Sequence, residues 1–129
     1  MEDTDPMKQD RHPFGIIDPA VIASLRELGG EDDPGLLTEL IDMFLDDAPA
    51  RMAEMRRALD EGDIDGIARA AHALKSSSAN MGAMLFSKLC KEVEEMARTQ
   101  QHAHLAEKAE RCFAAYSDAE RALKEIRTA

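Results

Sequence analysis

The sequence predicts an all-α protein, folded as an antiparallel up-down-up-down four-helix bundle with a short N-terminal helix covering one end. Two observations support this fold class. Apolar residues make up 44% of the 129-residue chain but aromatic residues only 4%, so Ala, Leu, Ile and Met dominate the apolar set and favour helices over strands. Apolar residues also recur three and four positions apart in four long segments separated by short polar stretches, a pattern typical of helix bundles.

The first predicted helix follows a polar segment. Residues 1–15 are expected to form a flexible N-terminal tail, and residues 16–129 a single helical domain. Asp18 followed by Pro19 predicts a helix start, because Asp accepts hydrogen bonds from the free N–H groups there and Pro suits the first helical position. Two glycines, beginning at Gly29, predict where this helix ends.

The next segment repeats the start signal and contains one interruption. Asp33 and Pro34 precede an apolar stripe that extends from Leu37 to Leu59. Pro49 lies within this stripe and predicts either a kink or a break into two helices, because Pro lacks the N–H group that a helix interior requires.

The remaining segments are predicted to form a helical hairpin and a final helix. Asp63 caps the first helix of the hairpin, and a turn near Gly82 leads into the second, with a simple bend of the helix there as the alternative. Residues 99–103 are polar and predict a loop before the final helix. The apolar seam of the helix after Asp63 advances in alternating steps of three and four and consists of Ile64, Ile67, Ala71, Leu74, Ser78 and Met81.

The charge balance argues against polyanionic partners. The net charge at pH 7 is −10, so nucleic acid and anionic membrane surfaces would be repelled on average. No apolar run approaches the roughly 18 residues needed to span a bilayer, and the N-terminus lacks the apolar stretch of a secretory signal. We therefore expect a cytoplasmic protein that binds neither nucleic acid nor membrane.

The two cysteines, Cys90 and Cys112, both fall inside apolar helical stripes. We interpret them as reduced core residues, because buried thiols are usually inert. A disulfide or a redox switch is the alternative.

His72 is the candidate functional residue, because it lies off the buried seam of its helix. With about 100° per residue, its side chain points roughly 130° away from the mean direction of that seam, so it should face solvent. An exposed histidine without function is the alternative interpretation. A collar of small residues around it favours the close approach of another protein's backbone; these residues are Ala68, Ala70, Ala71, Ala73, Ser76, Ser77, Ser78 and Ala79.

The chemistry that suits this histidine is phosphoryl transfer. Neutral imidazole is a nitrogen nucleophile near neutral pH, and the phosphoryl group on a partner's aspartate is already activated as a mixed anhydride. Lys75, one turn on, is expected to stabilise the phosphoryl oxygens, and Ser76 to donate a hydrogen bond to them. No cofactor is expected on this chain, since metal assistance can come from the partner as Mg²⁺.

Glu94 is a second candidate, on geometric grounds. If the helices on either side of Gly82 fold back antiparallel, position 72 lies level with about residues 91–94. Glu94 is then expected to hydrogen-bond the ring nitrogen of His72 that is not phosphorylated and to hold its orientation. An ordinary solvated glutamate is the alternative. The expected docking face surrounds His72 and comprises Ala68, Arg69, Lys75, Ser76 and Ala79.

Residues 70–98, AAHALKSSSANMGAMLFSKLCKEVEEMAR, resemble the signature of bacterial histidine-containing phosphotransfer (HPt) domains, and residues 36–63 extend the resemblance more weakly. The positions that match are His72, Leu74, Lys75, Ser76, Ser77, Gly82, Ala83, Leu85 and Leu89. The resemblance implies that His72 is the phosphorylated residue and that Lys75 balances the phosphoryl charge. It also implies response-regulator receiver domains and a hybrid sensor kinase as partners. Family members often carry glycine where this chain has Ser76.

Other functional classes find less support in the sequence. No histidine has a Glu three residues before it, and His102 and His104 lie on different sides of a helix, so no metal site is predicted. Because Gly-rich phosphate loops and nucleophile elbows are absent, we expect a carrier without an ATP-binding or kinase domain. The main alternative is a non-catalytic helical module that binds receiver-like partners without phosphotransfer. A homodimer that exchanges helices is another, but four complete amphipathic segments favour a monomer.

Overall fold

The computed structural model describes residues 16–128, which form five α-helices and one short 3₁₀ helix and contain no strand. The helices are α1 (Pro19–Gly29), α2 (Leu36–Glu61), α3 (Ile64–Asn80), α4 (Met84–Arg98) and α5 (Leu105–Thr128), with the 3₁₀ helix at His102–His104. The all-α prediction is confirmed. The predicted flexible tail, residues 1–15, lies outside the described residues.

The four long helices form a closed bundle, in which each helix from α2 to α4 packs against the next and α5 packs back against α2. Two ion pairs define the direction of the α2–α5 contact. Asp42, early in α2, pairs with Arg127 at the end of α5, whereas Arg56, later in α2, pairs with Glu110 early in α5. Because the order of the partners is reversed, α2 and α5 run antiparallel.

The core follows the predicted seam of α3. Ile67, Ala71, Leu74, Ser78 and Met81 are all buried, whereas Ile64, the first residue of the predicted seam, is half-buried. The hydroxyl of Ser78 does not remain unpaired in this apolar setting, because it donates to the backbone carbonyl of Leu74 at 2.6 Å. The seam therefore anchors one face of α3 and leaves the opposite face to solvent.

Two of the predicted helix starts agree with the structure. The Asp18 carboxylate accepts the N–H of Ala20 at 2.9 Å, and the Asp63 carboxylate accepts the N–H of Gly66 at 3.0 Å. Each bond satisfies one of the N–H groups that a helix start leaves without an internal partner.

The predicted start of α2 at Asp33 is wrong by two residues. The helix begins at Leu36 after Gly35, and no side chain caps it. Asp33 instead belongs to a turn, in which its backbone carbonyl accepts the N–H of Leu36 at 3.1 Å.

Pro49 does not divide α2, which is continuous from Leu36 to Glu61. The side chains on both sides of the proline, Ala48 and Met52, are buried in the same core. Because the apolar stripe keeps its register across Pro49, packing outweighs the roughly 3 kcal/mol that an internal proline costs a helix. Of the two outcomes that the sequence left open, the break is excluded.

Helix α1 covers the end of the bundle at which α3 turns into α4. The N–H of Asp18 donates to the carbonyl of Gly82 at 2.8 Å. Gly82 has a φ of +80°, and a Cβ there would lie 3.1 Å from the Cβ of Val21. Glycine is therefore required at this turn both for its backbone conformation and for the close approach of α1.

Candidate functional site

His72 lies on the outer face of α3 with 59% of its side chain exposed. Its neighbours Ala71 and Leu74 are fully buried, so the backbone beneath the ring is fixed while the ring itself faces solvent. The predicted exposure of the imidazole therefore agrees with the structure. Its Nδ1 atom lies 3.0 Å from Oε2 of Glu94 on α4.

The α3–α4 hairpin brings His72 and Glu94 together. The hydroxyl of Ser87, early in α4, donates to the backbone carbonyl of Lys75 at 2.8 Å. His72, three residues before Lys75 on α3, contacts Glu94, seven residues after Ser87 on α4, which is the reversed order of an antiparallel pair. The level predicted for position 72, about residues 91–94, agrees with this register.

Glu94 is the centre of a three-donor cluster. Its side chain is only 10% exposed, and its Oε1 accepts from Lys75 Nζ at 2.9 Å. Its Oε2 accepts from Arg98 Nε at 2.9 Å and faces His72 Nδ1. The bonds from Lys75 and Arg98 join ionised partners, and such hydrogen bonds are among the strongest in proteins.

The cluster keeps the Glu94 carboxyl ionised. Burial by itself raises the pKa of this carboxyl, but the hydrogen bonds from Lys75, Arg98 and His72 outweigh burial and lower the pKa to about 2. A carboxylate can only accept hydrogen bonds, so the 3.0 Å contact favours the tautomer of His72 that carries its proton on Nδ1. In the neutral ring this leaves the lone pair on Nε2, the nitrogen that points away from Glu94.

The Hpt domain family model matches residues 39–129, which is more than half of the chain and includes the whole α3–α4 hairpin. The chain therefore belongs to the Hpt domain family. Family membership gives it a role in histidine phosphotransfer within phosphorelays, and Hpt domains are phosphocarriers rather than kinases.

A solved structure supports the same assignment. The chain is similar to histidine-containing phosphotransfer protein B (HptB) from Pseudomonas aeruginosa PAO1, with a TM-score of 0.78 and 32% sequence identity. The match covers 88% of this chain and 95% of the HptB chain. Among curated proteins, none matches this chain closely enough to count as a relative.

The other predicted site residues of this Hpt domain differ in how far their side chains are exposed to solvent. Lys75 is 30% exposed and is engaged with Glu94. Ser76 and Arg69 are exposed, and Ala79 is half-buried. These side chains belong to α3, so they share with His72 the helix that presents the ring.

Ala68 is not on the exposed face, and its predicted place there is wrong. Its side chain is 3% exposed. Helix α3 packs against both α2 and α4, so its buried surface is wider than the narrow seam that the heptad-like spacing suggested. Ala68 falls within this wider surface, and its small side chain serves packing.

Arg98 is the site residue that sequence reasoning missed. It follows Glu94 by four residues on α4, the spacing at which oppositely charged side chains meet on a helix, and that spacing could have identified it. Together, Arg98 and Lys75 place two cations around one carboxylate. The surroundings of a neutral His72 ring therefore carry an excess positive charge, which favours a bound phosphoryl group.

Among residues 16–128, no group of three or more His, Cys, Asp or Glu side chains could hold a metal ion. None of the helices described here combines the length and the apolar character that crossing a membrane requires.

Proposed function

We propose that this Hpt domain is a phosphorelay intermediate, in which Nε2 of His72 accepts a phosphoryl group from the aspartyl phosphate of one receiver domain and passes it to an aspartate of another. One observation carries this proposal. Nδ1 of His72 lies 3.0 Å from the Glu94 carboxylate, an acceptor that favours the tautomer with its proton on Nδ1 and leaves Nε2 as the nucleophile. The similarity to a histidine-containing phosphotransfer protein also supports His72 as the phosphoryl acceptor.

The proposed transfer requires no base on this chain. The lone pair of Nε2 forms the N–P bond while the bond between phosphorus and the aspartyl oxygen breaks, which releases the partner's carboxylate. His72 keeps its Nδ1 proton and becomes a phosphorylated imidazolium, whose positive charge the Glu94 carboxylate stabilises at 3.0 Å. In the onward step the N–P bond breaks and neutral imidazole leaves, so the same arrangement serves both directions.

Lys75 and Ser76 are proposed to contact the phosphoryl oxygens. Lys75 Nζ is bound to Glu94 in this unphosphorylated state, but its side chain is 30% exposed and long enough to turn outward. A phosphoryl group beside it offers two negative charges, against one on the carboxylate. Ser76 follows His72 by one helical turn, so its hydroxyl lies on the same face.

The proposed docking surface is the outer face of α3 around His72, with Arg69, Ser76 and Ala79. The side chains of Ser76 and Ala79 are small, so the backbone of a receiver domain can approach the ring closely. We propose response-regulator receiver domains and a hybrid sensor kinase as partners, a monomer as the working form, and Mg²⁺ on the receiver.

The experiment that tests the proposal is phosphoryl transfer from a phosphorylated receiver domain, followed by mapping of acid-labile, base-stable phosphate by mass spectrometry. We expect the label on His72 and its loss in His72→Gln. His104→Gln is the matched control, because His104 is also exposed, at 77%, but lies outside the site. Binding of several receivers without any transfer would instead indicate the non-catalytic module.

A further inference from the structure

Cys90 and Cys112 take no part in the proposed phosphoryl transfer, and both are free thiols. Both side chains are 0% exposed, and their Sγ atoms lie 3.4 Å apart across the contact between α4 and α5. They are the two cysteines of the whole chain, so no other intramolecular pairing competes with this one.

The surrounding contacts hold the two thiols in register. On one side, Lys108 Nζ donates to Glu92 Oε1 at 2.9 Å. On the other side, the rings of Phe86 and Tyr116 have their centroids 5.4 Å apart. The thiol pair therefore lies in the middle of a helix–helix contact that is fixed above and below it. A disulfide has its sulfurs about 2.05 Å apart, so side-chain rotation and a shift of little more than about 1 Å would form one.

We propose that Cys90 and Cys112 are an oxidation site, at which a hydroperoxide converts the dithiol into an intramolecular disulfide between α4 and α5. One thiolate attacks the peroxide, forming an S–O bond as the O–O bond breaks and an alcohol or water leaves. The second sulfur then displaces the hydroxyl of this sulfenic acid as water and forms the S–S bond. In sum, two thiols and one hydroperoxide yield a disulfide, one alcohol or water, and one further water.

Burial determines how fast a hydroperoxide can oxidise the two thiols. The hydrogen bond with Cys112 and the burial of the side chain raise the pKa of the Cys90 thiol, so thiolate is scarce and the oxidant must enter through local opening of the bundle. The site therefore responds to sustained rather than brief exposure. Once formed, the disulfide closes a loop between residues 22 positions apart and stabilises the fold by restricting the unfolded chain.

The test is oxidation of the purified full chain with hydrogen peroxide, followed by unfolding, alkylation and intact mass measurement. We expect a monomer that has lost two hydrogen atoms and both alkylation sites, a Tm raised by on the order of 10 °C, and reversal of both changes by dithiothreitol. Cys112→Ala and Cys90→Ala are the matched variants, and peroxide should not raise the Tm of either.

Four results would overturn the proposal. In the first, both thiols remain open to alkylation after unfolding. In the second, sulfinic acid forms instead of a disulfide. In the third, the cross-link joins two chains. A Tm rise that persists in both single-cysteine variants would also overturn it, because the gain in stability would then have another origin.

Discussion

Replacing Glu94 with glutamine isolates the contribution of its negative charge. The ordinary carboxyl pKa of 4.5 is lowered to about 2 in the folded chain, which corresponds to about 3 kcal/mol of stabilisation at neutral pH. Lys75 and Arg98 keep 30% and 55% of their side chains exposed, so water screens part of this attraction. We therefore expect Glu94→Gln to lower the free energy of unfolding by about 2 kcal/mol at pH 7.

The pH dependence provides the stronger test of the same substitution. A carboxyl whose pKa is depressed in the folded state contributes stability above its unfolded pKa of 4.5 and loses it as the pH falls toward the folded value of about 2. Urea unfolding of both proteins between pH 7 and pH 3 should show a constant difference down to about pH 5. By pH 3 more than half of the difference should be lost.

Glu95→Gln is the matched control, because Glu95 is the exposed neighbour on the same helix and should change stability by less than about 0.5 kcal/mol. A Glu94→Gln difference that stays constant down to pH 3 would refute the electrostatic origin of the effect. No difference at pH 7 would refute the stabilising role of the cluster.

Three further predictions concern the site and the turn beside it. His72→Gln should change the free energy of unfolding by less than about 1 kcal/mol, because the side chain is exposed, and should abolish phosphoryl acceptance; urea titration and receiver-transfer assays measure the two effects. Lys75→Met keeps most of the apolar stem but removes the charge, so a quenched time course should show phosphoryl transfer to His72 slowed at least about tenfold. An unchanged rate would contradict the proposed role of Lys75. Gly82→Ala should cost about 2 kcal/mol in urea unfolding, because alanine at φ +80° is strained and its Cβ meets Val21 at 3.1 Å.

Much of the fold follows from local rules that act within a few residues. The caps at Asp18 and Asp63 and the turn at Gly82 were predictable because each depends on one residue type at one backbone conformation. The level of His72 against Glu94 was predictable because a tight turn fixes the register of the hairpin that follows it. The functional roles assigned to these site residues remain predictions.

Tertiary packing decides the features that the sequence left open or predicted wrongly. Pro49 remains inside α2 because the core holds both halves of the helix in one register. Ala68 is buried because α3 has two neighbouring helices rather than one. Arg98 follows Glu94 by four residues, but other oppositely charged pairs on exposed helix faces have the same spacing. The burial of Glu94, which depends on tertiary packing, distinguishes this pair from them.

The α3–α4 hairpin also determines when the candidate site can assemble as the chain folds. Its four groups, His72, Lys75, Glu94 and Arg98, all belong to one contiguous stretch of chain with a tight turn at Gly82. Closing such a short loop costs little entropy and is fast, whereas the α2–α5 contact joins residues as far apart in sequence as Asp42 and Arg127. His72 and Glu94 can therefore meet before the bundle closes, because their contact needs only the hairpin and not the distant α2–α5 contact.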